Sequence, residues 1–247
     1  MPKGQLNRRT SPLPRGTPCR VHGCTKTTTR KGWHKLCMAH EMAQRRYGHP
    51  EQRSIRKSAL DPCREAIQEI MARNPKVLWS AIWDRWHAAA DTARAFLEGT
   101  VKAGKAHNRH DREAAQIVCG WADLMEPDTV FEITAAFWLY REGVGSKDVK
   151  SDASWRSLLV HFLQRECGAG RHWSRGRWKP GMKLDEVDRQ KVSYKIVGPK
   201  TRERAAAYVM NSVGGAAVAV AQKELNRVTA QRQRDTAYSA AVRSIVV

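Results

Sequence analysis

Three cysteines and three histidines fall within the twenty-two residues CRVHGCTKTTTRKGWHKLCMAH, residues 19–40. Thiolates and imidazoles are the donors a structural zinc ion takes, four in a tetrahedron, commonly as two close pairs flanking a turn. Cys19 and Cys24 make one pair with four residues between them, and Cys37 and His40 make another with two. Twelve residues separate the pairs, giving C-x4-C-x12-C-x2-H. Gly23, beside the second cysteine, supplies the backbone freedom a metal knuckle needs. A helix beginning near Cys37 turns positions i and i+3 to one face, so both members of the second pair meet the ion. Sulfur and nitrogen donors also favour zinc over the hard cations that oxygen ligands hold. The expected cofactor is zinc on Cys19, Cys24, Cys37 and His40, with His22 and His34 as reserve ligands or phosphate contacts. Cys63, Cys119 and Cys167 are scattered and read as small buried apolar groups. Six cysteines in 247 residues do not make a disulfide scaffold.

The stretch CRVHGC…LCMAHEMAQRRYGHP resembles a small zinc-knuckle segment found near the start of many bacteriophage DNA-associated proteins, including some HNH homing endonucleases. Cys19, Gly23, Cys24, Cys37, His40, Arg45, Arg46, Gly48 and Pro50 carry the resemblance, which covers about residues 19–50. The spacer TKTTTRKGWHKL is longer than that pattern's. The resemblance implies a zinc-stabilised DNA contact in a phage or mobile-element protein. On a helix from Cys37, Gln44, Arg45 and Arg46 would project away from the metal, and arginine forks suit phosphates and guanine edges. Arg30, Lys31 and Lys35 join Arg45 and Arg46 as candidate nucleic-acid contacts in this segment.

Charge supports a polyanionic partner. The formal net charge is +20, and it is segregated. Residues 1–57 hold fourteen Lys/Arg against two Glu (+12), whereas residues 58–170 hold fourteen against sixteen acids (−2). Residues 171–204 hold eleven against four (+7), and the remainder five against two (+3). Basic charge gathered in particular segments is the footprint of a nucleic-acid binder, because each neutralised phosphate releases condensed counterions. The second basic segment, RHWSRGRWKPGMK, interleaves Arg171, Arg175, Arg177 and Lys179 with Trp173 and Trp178, the combination that reads phosphate while stacking unpaired bases.

These residues need elements to position them. Residues 1–18 carry four prolines and read as a flexible basic arm, residues 19–50 as the knuckle, and residues 51–57 as a polar linker. From residue 58 to 247 helical periodicity takes over. Asp61 with Pro62 predicts a helix entry that stops at Asn74-Pro75. Leu78, Ile82, Trp86, Ala89, Ala93, Phe96 and Leu97 predict an amphipathic helix of about seven turns. On it Trp79, Trp83 and Trp86 are expected to pack into the core rather than to stack bases. A third helix over about 111–125 has Ile117, Val118, Trp121 and Leu124 on one side. Thr129 and Glu132 suggest a capping box on a fourth helix ending at Gly143, and serine caps open a fifth in SDASWRSLLVHFLQRECG. A basic-aromatic loop is expected over 168–183, a short β element near 190–197 at Val192, Tyr194 and Ile196, and a final helical region from Pro199. The small residues of VGGAAVAVA suit close helix packing, within the domain or between copies. The fold class expected is mainly α, with a small knuckle of short β or turn plus helix ahead of a multi-helix domain.

Several function classes find no residues. The chain has no phosphate-binding P-loop, no GxSxG and no dinucleotide turn. No apolar run approaches the eighteen or so residues that span a bilayer, and no secretory signal opens the chain, so a cytoplasmic protein without a membrane partner is expected. HNRHDRE, residues 107–113, comes nearest to a nuclease histidine pair, but no hairpin precedes it and a polar helix entry explains it. The expected function is zinc-dependent DNA binding in regulation, replication or recombination. The alternatives are a zinc-knuckle-bearing endonuclease and an RNA-binding or protein-interaction factor, with a homodimer or protein partner through the helical domain left open.

Overall fold

A computed structural model of the chain describes residues 16–28, 35–74, 77–103, 108–143, 145–167, 171–174, 191–194 and 197–245. The fold is mainly α, with a Cys/His cluster at its N-terminal end. The helices are α1 (Met38–Tyr47), α2 (Lys57–Arg73), α3 (Val77–Ala103), α4 (Arg109–Leu124), α5 (Pro127–Glu142), α6 (Asp152–Cys167), α7 (Pro199–Val209) and α8 (Gly215–Ile245). A π turn, Met210–Gly214, joins α7 to α8 without a break.

Helix α5 is the centre. Val130, Phe131, Ile133, Ala135, Ala136 and Phe137 are all buried, so it is apolar around its circumference, as a helix enclosed by others must be. It packs against α2, α6 and α8, while α3, α4 and α7 close the remaining side. The tryptophan stripe of α3 enters this core: Trp86 is fully buried, and Trp79 lies 5.1 Å from the Phe131 ring. Trp121 is buried with it, but Leu124, at the last position of α4, faces solvent. The small residues after the π turn pack within the chain. Val213, Ala217 and Ala221 are fully buried, and α8 lies along α5. The widened turn leaves carbonyls short of donors, and the Ser212 hydroxyl stands 2.8 Å from Tyr208 O and 3.1 Å from Val209 O.

Helix entries differ from the sequence expectation in two places. Helix α2 begins at Lys57, not at Asp61, which leaves Pro62 inside it. Burial of Leu60 and Cys63, with Lys57 Nζ 2.8 Å from Glu166, holds the extra turn despite the backbone hydrogen bond a proline forfeits. Helix α5 enters through Glu126 with Pro127 in its first turn, so no Thr129–Glu132 capping box forms. Glu132 instead turns inward and accepts from Arg64 Nε at 2.5 Å and Gln68 Nε2 at 2.9 Å. The serine cap of α6 is present: Ser151 Oγ accepts from Ser154 N at 3.1 Å.

Two other segments carry structure beyond the sequence expectation. In the polar linker expected over 51–57, Gln52 and Ile55 are anchored while the other side chains are exposed. Gln52 is 2 % exposed, donates to Asp148 O at 2.8 Å and accepts from Lys150 N at 3.0 Å, and Ile55 is buried as well. Within the expected basic-aromatic loop, Arg171–Ser174 forms strand β1. It pairs antiparallel with β2 (Lys191–Tyr194), with Arg171 opposite Tyr194 and Trp173 opposite Val192, so ladder hydrogen bonds fix backbone that glycines and prolines made look irregular. Among the described residues no helix is long and apolar enough to cross a membrane.

Candidate metal centre

The knuckle begins as a tight hairpin. Pro18 bridges Thr27, Cys19 N donates to Lys26 O at 3.0 Å, and Thr28 N donates to Thr17 O at 2.8 Å. Its turn closes with Cys24 N on Val21 O at 3.1 Å. Gly23 there has φ +74°, the left-handed region that glycine enters without steric cost. The hairpin brings Cys19 and Cys24 to one end, and Arg20 N, donating to Lys35 O at 2.8 Å, draws the next segment alongside. That segment ends at Cys37, the N-cap of α1, and one turn later the helix presents His40.

The four side chains converge. His40 Nδ1 lies 3.3 Å from Cys19 Sγ and 3.4 Å from Cys37 Sγ, and Cys24 Sγ is 3.9 Å from Cys37 Sγ. All four donor atoms lie within 4.8 Å of one another, a group that can hold a metal ion. It is the single such group among the described residues. The sulfurs are thiols, not disulfides. Burial opposes ionisation of Cys19, but backbone N–H donors from Cys37 and Val21, with help from His40 and Cys24, outweigh it and hold its thiol at about 6. At Cys24 a backbone N–H from Lys26 favours the thiolate, but burial and the neighbouring Cys19 and Cys37 sulfurs outweigh it and push the thiol up. Metal coordination takes the deprotonated sulfur, toward which the surroundings of Cys19 bias it. His22 is exposed and outside the cluster, and His34 lies outside the described residues.

The C-terminal end of α1 is bolted to the helical body. Gly48 ends the helix at φ +78°, and a Cβ there would meet Ala153 O and Ser157 Oγ at 3.2 Å. The Tyr47 and His161 rings meet edge-on at 6.1 Å. Arg202, 3 % exposed on α7, donates through Nη2 to Arg45 O at 2.5 Å and through Nη1 to Val197 O. No carboxylate pairs with it among the described residues, and burial lowers its pKa to about 10, which leaves it charged near neutrality.

Between the metal group and the bolt Gln44, Arg45 and Arg46 of α1 are exposed; Arg45 Nε sits 3.9 Å from Glu41. Lys35 is exposed too. Arg171 and Trp173 are placed only as strand residues, and Arg30, Lys31, Arg175, Arg177, Trp178 and Lys179 lie outside the described residues. Arg20 and His49 were missed as site residues by sequence reasoning, and they flank the knuckle beside Lys35 and Gln44. The position of Arg20, directly after a ligand cysteine, was the available signal. His110, from the fragment nearest to a nuclease motif, is committed elsewhere. Its Nδ1 lies 3.0 Å from Thr201 Oγ1, whose hydroxyl donates to Glu113 Oε2 at 2.9 Å, clasping α4 to α7. Comparison of the chain with protein-family models, with curated proteins and with solved structures finds no match.

Proposed function

We propose that this chain is a zinc-containing DNA-binding protein of the phage or mobile-element kind, in which the knuckle holds a basic helix against DNA. Zinc is favoured by the donor set and its dimensions. Zn–S bonds of about 2.3 Å and Zn–N bonds of about 2.0–2.1 Å span a tetrahedron with S–S edges of about 3.8 Å and S–N edges of about 3.6 Å. The separations of 3.9, 3.3 and 3.4 Å fall close to those edges. In such a site the ion is structural. Four protein ligands leave it no open position, and its contribution is to fold the hairpin onto α1.

One observation carries the DNA reading: α1 is tied to the metal group near its start and to the body at its end, and a face that carries Arg45 and Arg46 stays exposed to solvent. This face belongs to the part of the chain that holds +12 of the formal charge. Guanidinium forks of that kind bind phosphate oxygens and guanine edges. The resemblance of the Cys/His segment to knuckles of phage DNA-associated proteins points the same way.

The test is fluorescence anisotropy of a labelled DNA duplex titrated with the full chain over a range of salt. The expected result is an affinity that falls linearly, on logarithmic axes, with a slope of several counterions. Affinity indifferent to salt sinks the reading, and tighter binding to single-stranded RNA than to duplex replaces DNA with RNA as partner.

A further inference from the structure

A recess of about 580 Å³ opens between the hairpin and the end of α1, outside the metal group. Among the described residues, Arg20, His22, Lys35, Gln44 and His49 supply its polar lining, with Glu51 as the one acid. Arg20 and Lys35 bring full positive charge to that lining, and the bond from Arg20 N to Lys35 O pairs their backbones. Both are also fixed by the metal ligands, since Arg20 follows Cys19 and Lys35 precedes Cys37 by two residues. His49 accepts from Glu51 N through Nδ1 at 3.2 Å, so a neutral ring carries its proton on Nε2 and remains a donor. Among the described residues that line the recess there is no tryptophan, tyrosine or phenylalanine. What it offers is cationic and neutral N–H donors around a space large enough for a sugar-phosphate unit.

Resting on the DNA reading above, we propose that this recess is a phosphate-backbone subsite: it takes a phosphodiester of one DNA strand, gripped by Arg20 and Lys35 and oriented by Gln44 and His49. The contact carries no sequence information. It fixes the register of the knuckle on the duplex and leaves Arg45 and Arg46, on the neighbouring face of the same helix, to meet the groove. Glu51 is the opposing charge on the rim and sets a limit on affinity.

The experiment compares the full-length wild type, R20A/K35A and E51Q on one mixed-sequence DNA duplex across salt concentrations, with zinc content measured for each. The double variant is expected to bind roughly ten-fold or more weakly at low salt, and its salt slope should fall by about two. E51Q is expected to bind more tightly with a steeper slope. R20A/K35A with unchanged slope and affinity on a wild type that binds normally overturns the subsite and leaves the DNA reading intact. E51Q with unchanged or weaker binding overturns it as well, and does so even where the double variant loses its zinc. A wild type without salt-dependent binding fails one level up, at the proposed function itself.

Discussion

The sulfurs of Cys24 and Cys37 stand 3.9 Å apart, far beyond a disulfide bond of about 2.05 Å and close to one edge of a zinc tetrahedron. Elemental analysis of the purified chain is therefore expected to find about one zinc per molecule. Cys37→Ser is expected to lose it. Cys37 is 2 % exposed, so the unliganded site is buried and the loss of metal should come with a lower melting temperature and with weaker DNA binding. Zinc content unchanged in that variant removes Cys37 from the ligand set.

Gly48 joins two demands in one residue. Its positive φ strains any side chain by about 1–2 kcal/mol, and the added methyl must press on Ala153 O at 3.2 Å. Gly48→Ala is expected to destabilise the chain by about 2 kcal/mol in urea unfolding while zinc binding persists, because the metal group lies toward the other end of α1. Gly23→Ala meets the same positive φ in open space, so it should cost about 1–2 kcal/mol through backbone strain alone.

Arg64 and Glu132 tie α2 to α5 with side chains 16 % and 11 % exposed. Arg64 also donates through Nη1 to Glu166 at 2.9 Å, so removing Glu132 leaves the guanidinium one carboxylate and leaves Gln68 without its acceptor. Glu132→Ala is therefore expected to cost about 1–3 kcal/mol, whereas Arg64→Met with Glu132→Leu should recover part of that, as apolar replacements of buried pairs do. Equal losses in the single and double variants, measured by denaturant unfolding, would show that the pair contributes net stability.

His161 makes stability sensitive to acid. Burial first, then the charges of Arg165, Arg202 and Arg46, lower its pKa below the ordinary 6.5. The folded chain therefore binds fewer protons than the unfolded one just below that value. The associated stability is fully present above about pH 6.5 and is lost as pH falls toward the folded pKa. Glu166, also lowered, keeps its contribution above its ordinary 4.5 and loses it as pH falls below that. Unfolding measured at about pH 7.5 and about pH 5.5 should show a drop in the wild type that His161→Phe reduces.

Periodicity in the sequence was enough to find the helices that carry the core, because Trp86, Ala93, Val118 and Trp121 recur at the spacing of one buried face. Ligand spacing was enough for the metal group, since two close pairs need only a turn between them. Helix entries were legible where the cap is local, as at Ser151, and illegible where a distant partner decides. Glu132 looks like half of a capping box until α2 brings Arg64 to it. Gln52 looks like linker until Asp148 and Lys150 bond it, 96 and 98 residues further along. Arg20 carried no periodicity and no motif. Its place at the recess follows from one backbone bond to Lys35, which composition cannot announce.

The clamp from Arg202 onto the Arg45 carbonyl spans 157 residues of sequence, and this has a bearing on how the protein is made. A ribosome adding about 5–20 residues per second releases Arg202 roughly ten to thirty seconds after Arg45. Through that interval the knuckle has its ligands but not the clamp, so its nascent fold depends on capturing metal. Synthesis under metal starvation should therefore expose a cysteine-rich, strongly basic segment to oxidation and to stray polyanions before α7 exists to fasten it. The measurement that checks this is the soluble yield of the full chain expressed with and without a metal chelator in the medium, which is expected to fall when metal is withheld.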